Sequence, residues 1–251
     1  MSDAAAARRA LEDLFETDAP ALRATLPPGF ADAAQHYVEL LLAANARVNL
    51  TRIVEPADVA RLHLLDALSA LPVLDALSPQ RALDLGSGGG VPGIVLALVR
   101  PDVSWTLVDS VGKKADAMRG FVEALDLRNV TVTADRAETL GHDAAYRERF
   151  DLVAARACAA LPVLAEYALP LIRLGGVLVA WKGAVPADEL RAGHVAAAQL
   201  GGGEPEMRSA GIAALGDHCF VIVTKRRPTP DRFPRRPGEP ARRPLGRGAD
   251  R

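Results

Sequence analysis

Leu83-Asp84-Leu85-Gly86-Ser87-Gly88-Gly89-Gly90-Val91-Pro92-Gly93 decides how the rest of the chain is read. A short apolar strand runs straight into a glycine cluster and then into a helix whose first turn suits Pro92. Four glycines in the five positions from Gly86 to Gly90 let the chain turn sharply, and let a ligand lie against backbone that any Cβ would block. After Gly86 and Gly88 the third glycine of the motif is Gly90, so the spacing is GxGxG rather than GxGxxG, which disfavours pyrophosphate. No phosphate-binding Lys-Ser/Thr follows the loop, which argues against a nucleotide triphosphatase.

Outward from this loop, from Arg81 onward, short apolar strands alternate with helical patterns, the grammar of parallel strands covered on both faces in a doubly wound α/β sheet. Strands are predicted at Ala82–Leu85, Trp105–Val108, Val130–Thr133, Leu152–Ala155, Val177–Trp181 and Phe220–Thr224, with helices between the first five. The interval from Lys182 to Cys219 should add a helix around Ala187–Leu200 and an irregular strand after Gly201-Gly202-Gly203. The last strand then arrives without a full crossover helix. It is therefore expected to be antiparallel, unlike an all-parallel dinucleotide fold.

In an open α/β sheet the ligand lies beyond the carboxyl ends of the strands. There the sequence offers the glycines and Asp109, which ends the second strand 23 residues after Gly86; Ala137 and Glu138 follow the third strand and Arg156 the fourth. The Asp109 carboxylate can accept both hydroxyls of a ribose, an arrangement expected for a nicotinamide dinucleotide as well as for S-adenosylmethionine. The glycine spacing, the antiparallel last strand and the lack of a separate catalytic domain favour S-adenosylmethionine over a nicotinamide-dependent oxidoreductase. A sensor or assembly protein that binds this cofactor without turnover stays open.

Residues 1–75 read as helices, with Tyr37, Leu40, Leu41, Ala44 and Val48 at three- and four-residue spacing. A further helix is predicted over Pro56–Leu71, closed by Pro72. Asn49-Leu50-Thr51 reads as a turn between the two. His63 and Asp66 are neighbours on the helix surface, a structural pair with no third metal ligand nearby. The expected organisation is an amino-terminal helical segment (1–75), a central domain (76–225) and a basic, proline-rich tail (226–251).

Hydrophobic residues make up 49 % and charged residues 24 % of the 251, enough for a sizeable core and incompatible with disorder throughout. Two cysteines, Cys158 and Cys219, provide neither a disulfide framework nor a zinc site. The apolar run Gly93–Val99 is far short of the roughly 20 residues that span a bilayer. Arg8 and Arg9 mixed with Asp3, Glu12 and Asp13 spoil a signal peptide, so a cytoplasmic location is expected. The net charge of −1 hides an asymmetry: Lys225–Arg251 carries ten Lys/Arg against three Asp/Glu, leaving −8 on the preceding 224 residues. With six prolines this stretch reads as an extended basic arm suited to a polyanion.

With these residues in hand, the chain resembles the bacterial RsmG (glucose-inhibited division protein B) family from about Asn45 to Leu245. The resemblance is carried by Asn49-Leu50-Thr51, His63-Leu-Leu-Asp66, the Asp84–Gly93 loop, Asp109-Ser-Val-Gly-Lys113-Lys114, Arg156-Ala157 and Trp181-Lys182-Gly183. It implies a Rossmann-like class I S-adenosylmethionine-dependent methyltransferase: amino-terminal helices and a mostly parallel seven-stranded sheet with its last strand antiparallel. It also implies methylation of N7 of a guanine in 16S ribosomal RNA, on the small ribosomal subunit or an assembly intermediate, by a protein expected to be a monomer. Position by position, the family's cofactor contacts fall on Gly86, Val91, Ala137, Glu138 and Arg156, beside Gly88 and Asp109.

Guanine N7 has an in-plane lone pair and no proton, so alignment rather than a general base is the expected source of rate. Arg156 and Lys182, at the ends of the fourth and fifth strands, are candidates for positioning guanine or phosphate. Lys113 and Lys114 open a helix, where cations oppose the macrodipole; with Arg235 and Arg236 of the tail they are the candidate RNA contacts. Cytosine-C5 methyltransferases carry a nucleophilic cysteine near this strand end, but theirs follows a proline and Cys158 follows Ala157.

Overall fold

Alternation at every second residue sorts the strand side chains onto two faces, and each face gathers its own hydrophobic cluster. Ala82, Trp105, Leu107, Leu152, Ala154, Val177 and Val179 point to one side, where they meet helices of the amino-terminal region through Tyr37, Leu41, Leu64 and Leu68. Leu83, Leu85, Val108, Val153, Ala155, Leu178 and Ala180 point to the other, against Leu161, Leu164, Ala196 and Ala197. In a computed structural model that describes residues 2–246, the strands are β1 (Arg81–Leu85), β2 (Ser104–Val108), β3 (Val130–Thr133), β4 (Phe150–Arg156), β5 (Ile172–Lys182), β6 (Glu206–Ser209) and β7 (Cys219–Thr224). They form one sheet in the order β3-β2-β1-β4-β5-β7-β6.

Strands β1 to β5 are parallel, and β7 runs antiparallel to both β5 and β6, as the missing crossover helix implied. The irregular strand expected after the Gly201 cluster is β6, a fully exposed edge strand bearing Glu206 and Arg208. Charges on an edge discourage pairing with another chain.

Three expectations need correction. Between β3 and β4 there is no full crossover helix, only the single turn Ala137–Leu140 followed by turns. Pro72 does not close the second amino-terminal helix: it sits in the first turn of the next one, Leu71–Leu77, where its missing N–H costs nothing. The segment after β7 is not a free arm. Arg147 donates to the carbonyls of Thr229 (2.8 Å) and Phe233 (2.9 Å), Gly238 N donates to Glu138 Oε1 (2.8 Å), and the Phe233 ring is buried. The segment folds back over the body through turns and one helical turn, Glu239–Arg242. Arg247 and Arg251, part of the expected tail, lie outside the described residues.

No helix among the described residues is long and apolar enough to cross a membrane.

Candidate active site

Helix Gly93–Val99 must lie close against β1 for the glycine loop to form, and Asp84 fixes that approach. Its Oδ2 accepts from Gly93 N at 2.9 Å, and a Cβ at position 93 would press on Asp84 Cβ at 2.9 Å. The other carboxylate oxygen, Oδ1, is buried with no partner. Burial raises the Asp84 carboxyl from its ordinary value to about 6, against the opposing hydrogen bonds from Gly93 and Ser87. Gly86 turns the chain with φ +73°, and a Cβ there would sit 3.0 Å from Cys158 Sγ. Cys158 as a residue is exposed, yet its thiol is tucked against this loop. Desolvation, then the charges of Asp84 and Asp109, push the thiol up to about 11, so it stays protonated and is no nucleophile.

Asp109, at the end of β2, closes the loop from the next strand: its Oδ2 accepts from Gly88 N (3.0 Å) and its Oδ1 from Val111 N (2.9 Å). Each oxygen retains a second lone pair for a hydroxyl. Ala137 and Glu138 open the turn after β3 and are buried, Glu138 beside the docked tail. A contact that the sequence did not announce holds the loop from the far side. Tyr37, fully buried on helix Phe30–Val48, donates its hydroxyl to Gly89 O at 2.8 Å and meets Phe121 edge-on.

The loop opens into a cavity of about 730 Å³ lined by Gly86, Gly88, Val91, Lys114, Arg156 and Lys182, together with Leu50–Ile53, Leu62, His63, Asp66, Trp181 and His218. Arg156 continues the even-numbered face of β4, so its guanidinium reaches the amino-terminal helices: NH2 pairs with His63 Nδ1 (3.1 Å) and NH1 lies 3.3 Å from Asp66 Oδ2. Its Nε is buried without a partner. Because an arginine only donates, His63 Nδ1 accepts and Nε2 donates to Thr51 Oγ1 at 2.9 Å. Desolvation and the Arg156 charge lower His63 to about 4, so its ring is neutral. The turn Asn49-Leu50-Thr51 is built as expected, with Asn45 Oδ1 accepting from Leu50 N and Thr51 N. His63 lies on a π-helical stretch, Val59–Leu65, an irregularity found often at functional sites.

Lys182 ends β5 on the opposite face from Trp181. Its Nζ donates to Glu189 Oε1 (2.8 Å) and Ala159 O (3.0 Å), leaving one proton free. Of the candidate RNA contacts, Lys113, Lys114 and Arg236 make no ion pair among the described residues, and neither does Arg52 on the cavity wall. Arg235 is different: it turns inward onto the fully buried Glu166, with Nε to Oε1 at 2.9 Å and NH2 to Oε2 at 2.6 Å. Among the described residues no three metal-ligating side chains come together.

The cavity thus unites Gly86, Gly88, Val91, Lys114, Arg156 and Lys182, with Asp109 attached through Gly88; Ala137, Glu138, Lys113, Arg235 and Arg236 do not line it. Arg52, Trp181 and His218 are additions on its wall, and Tyr37 is an addition behind the loop, through Gly89. His218 had a readable signal, since the start of an antiparallel strand lies at the edge where its parallel neighbours end, and Cys219 pairs with Lys182.

A family model described as rRNA small subunit methyltransferase G (GidB) matches residues 31–212. The ribosomal RNA small subunit methyltransferase G of Deinococcus deserti is 46 % identical over 82 % of this chain and 85 % of its own length. That of Symbiobacterium thermophilum is 38 % identical over 94 % of this chain and 98 % of its own. Among solved structures, the O-methyltransferase TomG of Streptomyces achromogenes in complex with S-adenosylmethionine aligns at TM-score 0.53 and 18 % identity, covering 76 % of this chain and 90 % of that one. A Bacillus cereus O-methyltransferase in complex with S-adenosylhomocysteine aligns at 0.50 and 20 % identity, over 75 % and 90 %. The last two show a shared fold.

Proposed function

This chain belongs to the rRNA small subunit methyltransferase G (GidB) family, and from that premise we propose that it methylates N7 of a guanine in 16S ribosomal RNA, in the cytoplasm where small subunits are assembled. It is an S-adenosylmethionine-dependent methyltransferase by family and fold. The observation that carries the site assignment is the cavity itself. One wall is the bare glycine loop, and the other presents the cations Arg156, Lys182, Lys114 and Arg52 to an incoming polyanion.

The cofactor fits the residues present. Around the loop the two unpartnered buried side-chain atoms are an acceptor, Asp84 Oδ1, and a donor, Arg156 Nε, the complement of an amino acid's ammonium and carboxylate. A buried carboxylate of raised pKa also favours a cationic guest. Gly86, Gly88 and Val91 would form the floor, and Asp109 the ribose contact, with Ala137 and Glu138 beside the base. When bound, S-adenosylmethionine supplies an electrophilic methyl on a sulfonium.

The protein's own share is alignment. Trp181 Nε1 donates to Asp66 O at 2.9 Å and its ring meets Phe220 edge-on, 5.2 Å between centroids. These contacts fix a flat aromatic wall on the cavity against which a base can stack. Arg156 is held from three sides by Leu62 O, His63 and Asp66, so its placement needs no reorganisation when substrate arrives. Guanine N7 carries no proton to remove, so these residues would act by holding the base in line and not as acids or bases. Positioning of this kind is worth on the order of 7–11 kcal/mol in well-oriented systems. Lys113, Lys114 and Arg236 remain our assignments for phosphate contacts.

Incubation with labelled S-adenosylmethionine and unmodified small subunits tests this reading. Label in 7-methylguanosine supports it. Label in another nucleoside overturns the target, and cofactor binding without transfer would make the protein a sensor.

A further inference from the structure

The cavity holds a titratable side chain, His218, that the alignment mechanism leaves idle, and pairs it with the Asp66 carboxylate that also holds Arg156. His218 stands directly ahead of β7 and its Nδ1 lies 2.9 Å from Asp66 Oδ1. Asp66 is the sole carboxylate among the described residues that line the cavity, and its side chain is only 5 % exposed. An ionised carboxylate accepts and does not donate, so the hydrogen bond sets the His218 proton on Nδ1. The ring then turns the Nε2 lone pair away from Asp66, and Nε2 has no hydrogen-bond partner among the described residues. His63, on the same wall, differs: both of its nitrogens are engaged, by Arg156 and Thr51. Of the two cavity histidines, His218 alone has an acceptor to offer.

A free acceptor on the base-binding side of this cavity has a natural complement. The Watson–Crick edge of guanine presents two donors, N1–H and the N2 amine, whereas adenine carries an acceptor at N1. We infer that the Asp66–His218 pair reads the guanine, His218 Nε2 accepting from its Watson–Crick edge while Asp66 fixes the tautomer from behind. This inference rests on the guanine-N7 reading above.

The contact also assists the reaction. Bond formation at N7 leaves the purine cationic, which makes the N1 proton more acidic and strengthens any hydrogen bond it donates. The anion of Asp66 behind the imidazole works in the same direction. Such an interaction is stronger in the transition state than in the ground state, so it raises kcat rather than merely lowering KM. Aimed at N1, it also separates guanine, which donates there, from adenine, whose N1 accepts and whose N7 is equally unprotonated.

The test compares the wild-type protein with His218→Ala and His218→Gln on unmodified small subunits, with S-adenosylhomocysteine affinity measured alongside by calorimetry. His218→Ala is expected to lower kcat/KM by about tenfold or more, chiefly through kcat, with cofactor affinity unchanged. His218→Gln, whose amide oxygen can accept, is expected to restore most of the loss. Unchanged kcat/KM in His218→Ala, equal losses in both variants, or a fall in cofactor affinity that accounts for the loss would each overturn the inference. Absence of guanine methylation by the wild-type protein would instead overturn the proposed function, and this inference with it.

Discussion

At the scale of single residues the proposed cofactor loop rests on two positions with opposite demands. Gly86 occupies the left-handed region at φ +73°, with the Cys158 thiol where a side chain would go. A β-branched residue there meets both strain and a steric block. Gly86→Val is expected to reduce S-adenosylmethionine affinity at least about tenfold in calorimetry, and normal affinity would remove the loop from the cofactor site. Asp84 costs stability, and in the proposed site that cost serves binding. Its carboxyl titrates near pH 6 in the fold against 3.8 for the free side chain, so the native state holds the extra proton in that window. Stability from this group therefore falls as pH rises from about 4 to 6, and the full penalty, up to ~3 kcal/mol, is present at pH 7. Asp84→Asn is expected to raise the denaturation midpoint at pH 7 while weakening the cofactor. In the wild type, affinity should decline as pH falls from 7 to 5; in the variant it should be low and flat. A variant that binds normally, or a flat wild-type profile, would contradict the role given to Asp84.

At the scale of elements, the segment after β7 shows how far sequence could be read. Ten cations and six prolines predicted an arm reaching for RNA, and composition alone could not reveal that Glu166, on helix Leu161–Ala168, waits for Arg235. Local pattern does not record contacts made across 69 positions. Arg235→Ala would leave a fully buried carboxylate uncompensated, which typically costs about 3–5 kcal/mol. Chemical denaturation should show that loss, while the salt dependence of RNA binding stays as it was; a large change in salt slope with intact stability would return Arg235 to the RNA. The strands were legible because buried parallel strands are continuous apolar runs, and the glycine loop because Gly86, Gly88 and Gly90 take left-handed backbone angles that favour glycine. The β3–β4 crossover was not, since one turn and a series of bends leave no periodicity. Tyr37 was invisible for the same reason as Glu166, since it acts on distant Gly89; the place of His218 at the sheet edge was readable from its antiparallel strand, and only its partner Asp66 was not.

At the scale of the whole molecule, an acidic body must meet a polyanion through a local surface. The exposed Arg52 on the loop after helix Phe30–Val48 and Lys114 on helix Gly112–Ala124 flank the cavity from two different elements. Removing a cation that neutralises one phosphate should reduce the slope of log affinity against log salt by about 0.7–0.9. The double variant Arg52→Ala, Lys114→Ala is expected to bind small-subunit RNA more weakly with a shallower slope and unaltered cofactor affinity; an unchanged slope would place the RNA elsewhere. The amino-terminal helices thus help build the candidate site as well as the core, through Tyr37, His63 and Asp66, with Thr51 on the turn between them. The measurement that bears most directly on the account is mass spectrometry of nucleosides from unmodified small subunits after reaction with labelled S-adenosylmethionine and the purified protein. Guanine-N7 transfer predicts label in 7-methylguanosine alone. Label in any other nucleoside, or none despite measurable cofactor binding, would contradict it.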